Sequence, residues 1–341
     1  MLHIIRSISS AHQHFFHPGQ VHDSLEQRVK AIEALRGELG MGSQQLHTLF
    51  LSIYLLGISS SFLDHELQDF GHEHLEAARI VIDLILAEEA SRKHPLTRLA
   101  FGTFVYWDMS CAFLTPTSRN PTQNFEGLLY TFIVEEMTGV LHPTTGPCTE
   151  LFYILCTLGR YIRHVISGGI QDLDLEILLE TKLLNWNLPD PGPSTMWVQT
   201  AEAFRKHGLI MLCRFSYAPS LVPWEAWTDT DEQSVLQHID QLTRQYAVDI
   251  MTSLSTIPLT STYLALQPIP LLTAGAELTV EDSHLRSESK SRLLALYSCS
   301  RIPANLVAAN LLDRLWQLRM EGGCVTWPEL LIQDNMKLRV G

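Results

Sequence analysis

The sequence lacks the marks of most recognisable activities. No two of its six cysteines, at 111, 148, 156, 213, 299 and 324, form a Cys-x-x-Cys pair, so zinc-finger and zinc-cluster spacing is absent. Positive charge is scarce: 24 Lys and Arg face 37 Asp and Glu, for a net charge of −13. The densest basic spots are Arg92-Lys93 and Arg160 with Arg163, too thin to displace counterions along a duplex. No segment reaches the roughly 18 uninterrupted apolar residues of a membrane span. The nearest, Leu46 to Leu63, is broken by His47, Thr48, Ser52 and Ser59-Ser60-Ser61. Past Leu2, the first residues carry His3, Arg6 and further polar or small side chains, without the apolar core of a signal peptide. These absences point away from direct nucleic-acid contact, from a membrane and from secretion.

Catalytic signatures are missing as well. There is no phosphate-cradling glycine loop, no Gly-x-Ser-x-Gly and no His-Glu-x-x-His. His72-Glu73-His74 has the wrong spacing for two metal ligands, because residues i and i+2 point apart on a helix.

What is present is apolar and helical. The 341 residues are 46% hydrophobic, enough for a sizeable core. The cysteines sit in apolar surroundings, Leu-Cys156-Thr-Leu and Leu-Cys213-Arg among them, so buried reduced thiols in a reducing compartment are expected. From Asp23 onward apolar residues recur every three or four positions: Leu25, Val29, Ile32, Leu35, Leu39. A mostly apolar helix follows over 46–58, then one over 72–90 with Leu75, Arg79, Ile82 and Leu86 in one row. An aromatic helix spans 96–114, with Asp108 its one acid. Further helices are predicted within 125–137 and over 149–167, 170–185, 195–217, 230–254, 281–298 and 304–320, separated by Gly and Pro turns. Strand-period alternation is absent. The reading is an all-α fold, a single large multi-helix domain over 23–341. A poorly ordered segment, 1–22, precedes it and holds His3, His12, His14, His17 and His22.

An ordered set of segments carries more specific information. Pro268-Ile-Pro270-Leu-Leu-Thr-Ala274-Gly275-Ala-Glu277 is followed by Val280-Glu281-Asp282 and then Asn310-Leu-Leu-Asp-Arg-Leu-Trp316. Upstream lie His74-Leu-Glu-Ala77-Ala, Tyr106-Trp-Asp108, and His142-Pro-Thr-Thr-Gly146 with Glu150-Leu151. Together, over about 24–330, they resemble the fungal-specific transcription factor domain family. Ala77-Ala78 stands where that family usually has Gly-Ala, and Ala276 where a Cys is common. The resemblance implies an all-helical regulatory domain of the kind that follows a zinc binuclear cluster, here without the cluster.

Several residues could carry chemistry. Asp108, among Phe104, Tyr106 and Trp107, is either a buried carboxylate paired with an Arg or a ligand contact in a helix-lined cavity. Arg160 and Arg163, three apart on one helix, either receive an anion or pair with Asp108 or a Glu. Asp64, Glu66 and Asp69 form a solvated helix end or, with Asp108, the catalytic set of an enzyme; Asp64, Asp69 and Asp108 would then hold Mg²⁺. Glu135-Glu136 has the same two readings. The Gly275-Ala-Glu277 turn is expected to be structural, with Gly275 closing one helix and Glu277 near the start of the next.

Two functions remain open. One is a transcription-regulator-like protein of fungal, specialised metabolism. It would act in the nucleus through a protein partner or small-molecule effector, as a monomer or homodimer, with no cofactor and no direct nucleic-acid contact. The other is a cytoplasmic biosynthetic enzyme on the same scaffold, most sharply a Mg²⁺-dependent class I terpenoid (sesquiterpene) cyclase. A gene model missing an upstream zinc-cluster exon would be a variant of the first.

Overall fold

A computed structural model describes residues 1–14, 20–40, 45–63, 69–115, 125–189, 194–216, 232–323 and 325–340. Among them the secondary structure is helical; the one β-type contact is an isolated bridge between His142 and Gly146. The all-α expectation holds.

The first half runs α1 (Leu2–His14), α2 (Gln20–Gly40), α3 (Leu46–Leu63), α4 (His72–Ala87), α5 (Glu89–Arg92), α6 (Leu96–Ser110), α7 (Leu128–Phe132), a π-helical turn (Ile133–Met137) and α8 (Thr149–Ile166). The second half runs α9 (Leu173–Asn185), α10 (Thr195–Phe215), α11 (Glu232–Ser255), α12 (Pro268–Glu277), α13 (Ser283–Ser300), α14 (Pro303–Met320) and α15 (Trp327–Gln333). No helix among the described residues is long and apolar enough to cross a membrane.

The centre is a succession of helices buried nearly all round: α6 packs on α8, α8 on α10, and α10 on α12. All 10 residues of α12 are buried, and α8 is buried from Thr149 through Gly159 apart from Glu150. Helices apolar on every face belong inside. Around this spine, α3 and α4 pack on α6, while α11, α13 and α14 pack on α12. One continuous cluster runs from Leu49 to Val340. Cys111, Cys148, Cys156 and Cys213 are buried free thiols, as expected; Cys299 is exposed, and Cys324 lies outside the described residues.

The N-terminus departs from its expectation. Residues 2–14 form a helix that packs on α2 and α3, not loose chain. Ile4, Ser7 and Ala11 turn inward, and Ser7 and Ser24 bind each other's backbone carbonyls through their hydroxyls at 2.8 and 2.6 Å. Two of these contact residues are small, so the helical period is faint beside the conspicuous histidines. His17 and Pro18-Gly19 lie outside the described residues.

Helix α2 buries only part of its predicted stripe: Leu25, Val29 and Leu39 are exposed, whereas Ile32 and Leu35 pack against the core, and Ser24 and Ala31 are buried as well. Arg28 contributes to this rotation. Its guanidinium crosses to the end of α3 and donates to Leu56 O at 2.9 Å, to Ser60 Oγ at 3.0 Å and to Ser59 Oγ. Hydrogen bonds from a charged donor contribute more than single apolar contacts, and they help set the rotation of the helix. Arg28→Ala is expected to cost about 2 kcal/mol. A lowered urea midpoint, with faster amide exchange in α1 and α2 than in α8, is the measurement; unchanged exchange there would refute this role.

Candidate functional site

The aromatic helix α6 carries Asp108 into the middle of the molecule, where its side chain is 5% exposed. Two neighbouring helices bring cations to it. Arg79 of α4 donates from Nη2 to Oδ1 at 2.6 Å, and Arg160 of α8 donates to the same oxygen. Cys156, one turn before Arg160, donates its thiol to Oδ2 at 3.2 Å. Arg79 also lies over the Phe104 ring, 5.4 Å from its centre.

The electrostatics follow from burial. Desolvation pushes the Asp108 carboxyl upward, opposed by Arg79 and by the Cys156 hydrogen bond. For Arg79, burial acts downward, but Asp108 outweighs it and the guanidinium stays firmly charged. The Cys156 thiol is pushed well up by burial and by Asp108 beside it, so it is a hydrogen-bond donor and no nucleophile. Asp108 and Arg160 are thus brought together. Arg163 goes elsewhere: it lines a cavity with Phe70 and His72, away from the carboxylate.

The remaining acids are dispersed. Asp69 accepts from Gly71 N at 2.8 Å and from Ser60 Oγ at 3.0 Å, shaping the turn before α4. Asp64 and Glu66 lie outside the described residues. Glu136, on the π-helical turn, pairs with Arg98 at the surface at 2.7 Å. Among the described residues no group of three His, Cys, Asp or Glu side chains is placed to hold a metal ion.

The C-terminal segments converge on a second buried acid. Glu277 is not at the start of a helix as expected; it is the last residue of α12 and 5% exposed. Arg214 of α10 grips its Oε2 and Arg319 of α14 donates to Oε1 at 3.2 Å. Arg214 extends the network to Asp240 and Thr243 of α11 at 2.6 and 2.9 Å. Gly275 lies inside α12 and does not close it. A Cβ there would come within 2.9 Å of Leu312 and Ser289, so glycine lets α13 and α14 approach. Trp316 Nε1 donates to Gly275 O at 2.8 Å, and Arg286 lies over the Trp316 ring while donating to Leu278 O at 2.8 Å. Asp282 caps the next turn with Thr279 and takes both arms of Arg244 at 2.8 and 2.9 Å. The C-terminal segments of the sequence resemblance therefore meet in one place.

Upstream, His142 is a structural pin. Its Nε2 donates to Leu99 O and its Nδ1 accepts from the Thr144 and Thr145 amides, each at 3.1 Å. Burial holds its pKa below the usual histidine value, consistent with the neutral ring this bonding requires.

The fold and its two carboxylate clamps define an all-helical domain built around buried ion pairs. The chain belongs to the fungal specific transcription factor domain family, whose model matches residues 1–340. The match therefore takes in α1, beyond the range the sequence resemblance reached. No curated protein and no solved structure matches the chain.

Asp108→Asn strands two buried guanidiniums without a counter-charge and is expected to cost about 3–5 kcal/mol, read as a fall in the denaturant midpoint. A change below about 1 kcal/mol would remove the clamp from the structural core.

Glu277 predicts a pH dependence. Burial acts upward on its pKa, but Arg214 and Arg319 outweigh it and hold it below the usual glutamate range. Its contribution is complete above that range and disappears as pH falls through the depressed value. Glu277→Gln should lower stability at pH 7 and flatten the stability-versus-pH curve below about pH 5. Parallel curves for the two proteins would contradict the clamp.

Proposed function

We propose that this protein regulates transcription in fungal metabolism, acting through a protein partner or a small effector. The observation that carries the reading is family membership over residues 1–340. The net charge of −13 accords with action through a partner: holding a duplex by counterion release calls for clustered positive charge. Contact with DNA would then come from outside the residues described, and the site of action would be the nucleus. Glu277, Arg214 and Arg319 tie α10, α12 and α14 into a rigid body, a scaffold suited to presenting a surface or cavity more than to moving protons.

Deleting the gene should lower transcripts of a defined set of genes, and a fluorescent fusion should concentrate in nuclei. A transcriptome unchanged by deletion would overturn the reading.

A further inference from the structure

Arg160 and Arg163 stand three residues apart on α8 with different fates. Arg160 is used on Asp108. Arg163 is half-buried, and among the described residues its guanidinium has no hydrogen bond or ion pair. Burial lowers its pKa, and no acid among the described residues offsets the effect. A guanidinium partly withdrawn from water without a counter-charge is costly, and a bound anion would relieve that cost.

Arg163 faces a cavity of about 230 Å³. His72 of α4 lines it, with a buried Nδ1 that has no hydrogen-bond partner. Lys337 and Asn335, just past α15, complete the polar part. Phe70 and Met336 are among the apolar walls, and the Phe70 ring lies 5.5 Å from that of His72. Among the described residues no acid lines the cavity. Asp334, next to Asn335 in the chain, is taken by Arg314. Glu73, beside His72, is exposed and is not part of the lining. In a protein of net charge −13, this is a locally cationic cavity with a greasy wall.

We propose that this cavity binds a small organic oxyanion, a carboxylate or phosphate monoester on an apolar stub, with Arg163 as its principal contact. The guanidinium fork matches the two oxygens of such a head. Lys337 adds charge at the rim, and Phe70 with Met336 take the stub. The assignment is independent of the regulatory reading, because a binding isotherm does not depend on transcription.

Calorimetric titration of the full chain at low salt tests it, with benzoate and phenyl phosphate as probes and benzyl alcohol as the neutral control. One-site binding is expected for at least one oxyanion, weakening with added salt, with none for the alcohol. The tighter of the two probes identifies the head group. Arg163→Gln should weaken binding about tenfold or more, the loss of one charge-assisted contact. Arg163→Lys should retain part of it, and Met336→Trp should abolish it by filling the space with charge unchanged. Far-ultraviolet circular dichroism verifies that each variant is folded. No binding of either anion up to about 10 mM, equal binding of benzyl alcohol, or an unchanged affinity in folded Arg163→Gln would overturn the proposal.

Discussion

Two buried carboxylates, each gripped by two arginines from different helices, hold the central helices in register. Asp108 joins α4, α6 and α8; Glu277 joins α10, α12 and α14. Apolar burial supplies most of the driving force in such a core, but it is non-directional. A greasy helix can rotate with little loss of contact area. A carboxylate cannot follow, since one residue of slip turns its direction by about 100° and leaves charge unpaired in a medium of low polarity. At an effective dielectric of about 20, a pair of charges 4 Å apart interacts by about 4 kcal/mol, several times a typical hydrogen bond. The clamps thus select one arrangement among the many that the apolar faces allow.

Much of the helical framework is legible in the sequence because it rests on Gly and Pro punctuation and a period of three to four. The clamps were half legible. Asp108 stands out as the one acid among aromatic side chains, and its pairing with an arginine such as Arg160 was one of the two readings its surroundings allowed. Arg79 carried the same signal in reverse, a cation within the apolar row Leu75, Ile82 and Leu86, yet nothing local says which acid it meets. Glu277 is hidden because an acid after Ala-Gly-Ala looks like the opening of the next helix. Only the three-dimensional approach of Arg214 and Arg319, far away in the chain, makes its burial affordable. Partner choice over such separations has no period and leaves no mark in a single sequence.

The N-terminal hairpin shows the opposite failure, in which a clear pattern misleads. Leu25, Val29, Ile32, Leu35 and Leu39 form a persuasive apolar stripe, but only Ile32 and Leu35 pack inward, and α2 turns Ser24, Arg28 and Ala31 toward its neighbours. Several hydrogen bonds from one guanidinium to a carbonyl and two hydroxyls of α3 offset the exposure of Leu25, Val29 and Leu39. Periodicity measures where apolar residues lie relative to one another. It does not measure which face the adjoining helix can satisfy.

Arg160 and Arg163 show how narrowly function can divide from structure on one helix. Three residues advance the helix by about 4.5 Å and turn it by about 300°, leaving the second guanidinium roughly 60° away from the first. That offset carries Arg163 past Asp108 and into the cavity beside His72. The excess of acids elsewhere does not neutralise it, because exposed charges are screened beyond about 8 Å at physiological ionic strength. The same screening explains how an acidic protein can hold a locally cationic cavity. Its volume of about 230 Å³ suits one small head group. A preference for small anions and an inability to grip a duplex are therefore compatible properties: the first depends on the few side chains lining one cavity, the second on the charge of the whole surface.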